Sequence, residues 1–295
     1  MYSVDMIKLK SYPDLTNYKG QLDKTYFNQE HEIIISELIG LDNYLKFKQA
    51  DNITYWPSKK YSGYRHNWKL EYPDKNSFYI GYRHNAEKFD RKHQLSVKYN
   101  PNKLEIGFHL GLKELISKCR PICVTSVDLA MDINKNINNL VIEKPKHIEK
   151  YKYWEEKGAK THYFGSRKNL IKVYDKAMEM GLKQGYPLTR IEWTIPVKNN
   201  LINKAQIRDI RIYNLGGYQI SIQSEKVDKT LNAILYAVMN GYDINYLTDY
   251  QRRKVKKYLH SAGTLVDIDK DLMLKSFYDY LEYLQNGTSW NQLIN

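Results

Sequence analysis

Three short stretches of this chain carry polar groups at every second residue: CVTSVDLAMDI (123–133), LIKVY (170–174) and TRIEWTIPV (189–197). Between the polar groups lie Val127, Leu129 and Met131 in the first, Ile171 and Val173 in the second, and Ile191, Trp193 and Ile195 in the third. A period of two marks a strand with one buried face. If the three strands are neighbours, the opposite face gathers Asp128, Asp132, Lys172, Tyr174, Arg190 and Glu192. Carboxylates, cations and one phenol in a single patch suit chemistry on a phosphate. The bland alternative is the solvated face of an antiparallel sheet, and alternation alone does not separate the two.

Tyr174 sits at the seam between this strand-like run and a helix-like one, DKAME (175–179). A free tyrosine has a pKa of about 10 and is a weak nucleophile at neutral pH. Lys172 and Lys176, two residues either side, would favour its phenolate. Arg190 has the fork to hold a phosphate oxygen bidentately.

Composition points the same way. The 295 residues carry 46 Lys and Arg against 33 Asp and Glu, a net charge of +13. Such a surplus suits a polyanionic partner, and 27 tyrosines offer rings for unpaired bases. No run of about 18 apolar residues spans a membrane. No secretory signal is read at the N-terminus, which places the chain in the cytoplasm. Cys119 and Cys123 do not form CxxC, so no zinc site is expected.

Further elements must position these groups. GYRHN occurs at 63–67 and again at 81–85, with strand-like WKLEY and SFYIGYR around a turn at 73–76. The predicted hairpin puts Tyr64, Arg65, Tyr82 and Arg83 at one end as candidate DNA contacts, or as an ordinary polar edge. VDMIKLK (4–10) and QLSVKYN (94–100) read as strands, and 28–48 as a helix. Beyond about 225 the pattern turns helical: 231–241, then 250–260 opened by a Thr248 to Gln251 capping box, then 269–287. The second of these is strongly basic, and Arg252, Arg253 and Lys256 are candidate DNA contacts, as is Arg167.

Five strings, VKYNPNKL (97–104), VDLAMD (127–132), YFGSR (163–167), IKVYDKAME (171–179) and TRIEW (189–193), follow one another in an order that resembles the rolling-circle replication initiators of small plasmids, the Rep_trans family. Nicking relaxases of some integrative conjugative elements are related to it. The resemblance covers roughly residues 90–260. It implies that the protein nicks one strand of its own origin, at a single-stranded or hairpin site, and becomes joined to the 5′ phosphate through a tyrosine, here Tyr174. It implies a divalent cation, Mg²⁺ or Mn²⁺, with Asp128, Asp132 and Glu192 as ligands. It further implies action as a homodimer, recruitment of a host helicase, and a variant of the HUH-endonuclease fold. His109 and His162 would be further ligands or plain structural histidines. One departure stands out: the family tends to Asn-Lys-Lys after the tyrosine, and this chain has Asp175-Lys176-Ala177, which sets a negative charge beside the phenol.

The expected fold is α+β, a mostly antiparallel sheet with helices on one face. A catalytic DNA-nicking domain is expected over 1–225, and a helical region available for DNA or dimer contacts over 226–295. The expected function is initiation of rolling-circle replication. The rivals are a relaxase nicking at an origin of transfer, a DNA-binding regulator without chemistry, and a tyrosine recombinase, against which the carboxylates argue.

Overall fold

The computed structural model describes residues 1–11, 52–57, 64, 66–71, 77–83, 95–103, 122–166, 169–183, 185–214, 229–239, 242–262 and 264–286. The helix expected over 28–48, the turn at 73–76, His109, Arg65 and Arg167 lie outside them. The fold is α+β, as the alternating and helical stretches required, and its sheets are built of antiparallel strand pairs. Among the described residues, no helix is long and apolar enough to cross a membrane.

The chain forms two compact units, each drawn from separate stretches: Met1–Tyr2, Ala130–Ile195 and Asn203–Met273 in one, Ser3–Leu129, Pro196–Ile202 and Leu274–Asn295 in the other. In the second unit, strands β1 (Tyr2–Ser11), β2 (Asn52–Pro57), β3 (His66–Glu71), β4 (Ser77–Tyr82), β5 (Leu95–Tyr99) and the start of β6 (Cys123–Ile133) lie in the order β2-β3-β4-β5-β1-β6. The GYRHN repeats do flank a hairpin, with His66 opposite Tyr82 and Trp68 opposite Ile80. Alternate residues build the core: Trp68, Leu70, Ile80, Val97 and Ile7 are all buried. Tyr99 joins them and shares a 2.6 Å hydroxyl–hydroxyl hydrogen bond with Tyr280. Burial drives both phenols well above their usual range.

The first unit holds two sheets. One has the order β6-β11-β10-β9-β8, with β8 Tyr151–Glu156, β9 Ala159–Ser166, β10 Asn169–Asp175 and β11 Thr189–Pro196. The other is β13-β12-β7, from Thr264–Leu265, Arg211–Asn214 and Leu140–Glu143. Strands β8 and β9 turn over Lys157 and Gly158, both with positive φ (50° and 79°). Two such residues give the tight turn whose twist matches a hairpin.

Three helices follow the expected boundaries: α2 (Lys229–Met239), α3 (Asp249–Ala262) and α4 (Lys270–Asn286), after a single turn α1 (Lys176–Glu179). The capping box forms, with Gln251 N–H donating to Thr248 Oγ1 (3.3 Å) and Thr248 N–H to Gln251 Oε1 (3.1 Å). Leu235 and Val238 of α2 and Val255 and Leu259 of α3 share one apolar cluster with Val141 of β7 and Tyr213 of β12.

Candidate functional site

Register decides which side chains meet on the β10 face. Strand β10 pairs with β11 so that Lys172 opposes Glu192 and Tyr174 opposes Arg190. On its other side it pairs with β9, so that Lys172 opposes Tyr163 and Tyr174 opposes Thr161. The apolar partners take the alternate positions: Ile171, Val173, Ile191, Trp193 and Ile195 are 0–1% exposed. Trp193 also donates its indole N–H to the Arg208 carbonyl at 3.0 Å. Burying such a set is worth roughly 2 kcal/mol per side chain, so a one-residue slip is excluded.

The polar face is not the solvated surface that alternation alone suggests. Tyr174 is 5% exposed, Glu192 8% and Arg190 9%. Asp175 starts the stretch of chain that lies beside Tyr174. Strand alternation turns Asp175 away from Tyr174, and its carboxylate caps α1 by accepting the Met178 N–H at 3.0 Å. The chain therefore turns at once, with Lys176 N–H donating to the Leu188 carbonyl at 3.1 Å. Lys176 and Glu179 come down beside the phenol.

The resulting arrangement is dense. Tyr174 Oη donates to Glu192 Oε2 at 3.4 Å, and Lys172 Nζ lies 3.5 Å from the same oxygen. Lys172 Nζ stands 4.1 Å from the centroid of the Tyr174 ring and Lys176 Nζ 5.9 Å. Lys176 also pairs with Glu179 at 2.9 Å. Burial pushes the Glu179 carboxyl up. The Lys176 hydrogen bond and charge, the Tyr174 hydroxyl and Lys172 outweigh this and hold it below the usual carboxylate range. Tyr174 thus lies between two carboxylates and two ammonium groups. Sequence reasoning passed over Glu179, because a one-turn helix has no period to read.

Asp132 and Arg190 form a fork-to-fork pair, Nε to Oδ1 at 2.6 Å and Nη2 to Oδ2 at 2.7 Å. This changes two expected roles. The edge of Arg190 that would grip a phosphate is engaged by Asp132. Both oxygens of Asp132, expected on a metal, hold a guanidinium instead. Glu192 serves Tyr174 and Lys172. Asp128 lies four residues before Asp132 on β6, half-buried, in the stretch that belongs to the other unit. Among the described residues, no group of three His, Cys, Asp or Glu side chains is placed to hold a metal ion. As arranged, Asp132 is engaged by Arg190 and Glu192 by Tyr174 and Lys172, so these carboxylates are not gathered around one metal position.

His162 is on the opposite face, opposite Val173. It meets the Tyr151 hydroxyl at 2.9 Å through Nδ1 and lies 3.8 Å from Asp243 Oδ2. Burial, then Lys160, pushes it down to about 4. It is a structural histidine.

The candidate DNA contacts divide by exposure. Tyr82 is buried against His66, and the Arg83 guanidinium stacks 4.7 Å above the Tyr64 ring. Lys256 pairs with buried Glu143 at 2.5 Å. Arg252 donates to the Asn245 and Leu247 carbonyls at 3.2 and 2.9 Å, fastening the start of α3. Arg253 is exposed, its Nε donating to the Asp249 carbonyl at 3.3 Å. These placements give Lys256 and Arg252 structural work that a basic helix face does not announce in sequence.

No protein-family profile matches the chain, and no curated protein matches it. Among solved structures it is similar to a rolling circle replication initiator protein from Geobacillus stearothermophilus, at 15% identity and a TM-score of 0.37, over 66% of this chain and 74% of that one.

Proposed function

We propose that this chain nicks one strand of DNA by transesterification onto Tyr174, and does so to initiate rolling-circle replication. The observation that carries the reading is the setting of the Tyr174 hydroxyl, which donates to Glu192 Oε2 at 3.4 Å, with Glu179 close by and Lys172 and Lys176 over the ring. An acceptor within reach and two nearby cations are what a phenol needs to lose its proton.

In the proposed step the phenol oxygen attacks phosphorus and its proton passes to Glu192. The bond from phosphorus to the 3′ oxygen breaks, and that oxygen leaves as a hydroxyl after taking a proton from water. Lys172 and Lys176 offset the charge gathering on the phosphate. One phosphodiester replaces another, so a later 3′ hydroxyl can reverse the step without ATP. Because Tyr174 is 5% exposed, the phosphate enters as Lys172 and Glu179 swing from the ring. The Mg²⁺ or Mn²⁺ requirement, the helicase and the dimer belong to this reading through the sequence resemblance alone. A relaxase nicking at an origin of transfer would use the same step.

The burial of Tyr174 favours a second reading, a DNA-binding regulator in which the phenol only packs. Covalent trapping separates the two. The protein is incubated with supercoiled DNA carrying its gene and flanks, with Mg²⁺ or Mn²⁺, and denatured in detergent. Nicked DNA with protein on the 5′ end, absent with Tyr174→Phe, is expected. Equal DNA binding and no adduct from either protein would support the regulator.

A further inference from the structure

The rows that cross Tyr174 do not stop at β9. Strand β8 pairs with β9 so that Trp154 opposes Thr161 and Lys152 opposes Tyr163. Two continuous rows therefore run across four strands on one face: Trp154, Thr161, Tyr174, Arg190, and Lys152, Tyr163, Lys172, Glu192. At about 4.8 Å per strand, Trp154 lies roughly 10 Å from Tyr174 along its row.

At the β8 end the face is open. Trp154 is 51% exposed, against 1% for Trp193 and 0% for Trp68. Its ring carries Lys152 Nζ at 5.2 Å. A groove of about 600 Å³ lies here, lined by Lys150, Lys152, Trp154, Tyr163, Gly165 and Leu170 among others. Gly165 keeps its floor bare. Its φ is +98°, and a Cβ there would come within 2.3 Å of the Asn169 carbonyl oxygen, so no side chain can stand at that position.

An exposed indole beside lysines on bare backbone is a poor surface for water to cover and a good one for a flat ring carrying a phosphate. We propose that this groove is a subsite for an unpaired base of single-stranded nucleic acid, with the base on Trp154 and Tyr163 and a neighbouring phosphate on Lys152. Stacking of this kind tolerates any base and needs the strand unpaired, because a paired base has no free face. The rows aim the strand at Tyr174, so the subsite holds a nucleotide close to the phosphate that is attacked. This last point rests on the proposed nicking activity; the binding itself does not.

The test uses the full chain and a fluorescein-labelled oligothymidylate, with the same label on a duplex as comparison. Trp154→Ala should weaken single-strand binding about 10-fold or more, in the range of one base–aromatic stack, and leave duplex binding unchanged. Trp154→Phe keeps a ring and should recover most of the affinity, which separates lost stacking from lost folding. Lys152→Ala should reduce the slope of log affinity against log salt by about 0.7. Oligothymidylate binding unaffected by Trp154→Ala would overturn the subsite, as would equal weakening of strand and duplex. If Tyr174→Phe abolishes the adduct while Trp154→Ala changes nothing, the subsite fails alone. If Trp154→Ala weakens strand binding and no adduct ever forms, the nicking reading fails and the subsite stands.

Discussion

Removing Asp132 tests the pairing that displaced it from its expected role. In Asp132→Ala the Arg190 guanidinium, 9% exposed, loses the carboxylate that holds it at 2.6 and 2.7 Å. Breaking a buried pair from one side costs ~3–5 kcal/mol. The Asp132 side chain keeps 19% of its exposure, so water reaches the site and the low end, about 3 kcal/mol, applies. At ~2–4 °C per kcal/mol for a chain of a few hundred residues, Tm falls by about 6–12 °C. Asp132→Ala with Arg190→Met removes the stranded charge as well and should regain most of that loss. Thermal denaturation of the parent and the two variants, with and without Mn²⁺, measures both effects. A loss below about 1 kcal/mol would refute the structural pairing. So would a Mn²⁺-dependent rise in Tm that Asp132→Ala abolishes, which would return Asp132 to the metal.

Asp175→Ala removes the cap on α1, accepting at 3.0 Å from Met178, and should cost about 1 kcal/mol. Because α1 carries Lys176 and Glu179, adduct formation should fall by 10-fold or more while folding survives; an unchanged rate would detach α1 from the chemistry. His162 makes stability depend on pH. Held near 4 by burial and Lys160, it stays neutral in the native state while the unfolded residue takes a proton near 6.5. The sign follows: the unfolded chain binds more protons as pH drops from about 6.5 towards 4, and stability is lost over that window. Urea denaturation at pH 7 and pH 5 should show a loss about 2 kcal/mol larger in the parent than in His162→Gln. Asp243, Tyr151, Tyr153 and Lys160 face the ring, and equal losses would place the titration elsewhere.

The strands carrying Tyr174, Arg190 and Glu192 were legible because each buries one face completely, and burial writes a period of two into the residues. The β3–β4 hairpin and the helices α2 to α4 were legible for the same reason, with Thr248 and Gln251 marking one start. Strand β8 was not, because its residues are mostly exposed and YKYWEE shows no apolar alternation; Trp154 was missed with it. The Asp132–Arg190 pair joins residues 58 apart, a distance over which spacing says nothing. Asp175 was misread as a charge on the phenol. Its position at the end of a strand, three residues before the N–H it caps, was the available signal.

What places the chemistry is the apolar side of the sheet. Tyr174 meets Glu192 and the lysines only while β10 keeps its register, and nothing polar fixes that register: a phenol, two lysines and two glutamates could pair in several ways. Ile171 and Val173 against Ile191 and Trp193 admit one, since a slip of a single residue would send Lys172 and Tyr174 into the core and two aliphatic chains out of it. The turns close off the rest. Lys157 and Gly158 turn β8 into β9, and Asp175 ends β10 by starting α1. The residues that would react are therefore held by residues that cannot. It follows that a conservative change in the buried face, Ile171→Val, should leave the site intact, while a change that alters parity should abolish it without touching one polar group.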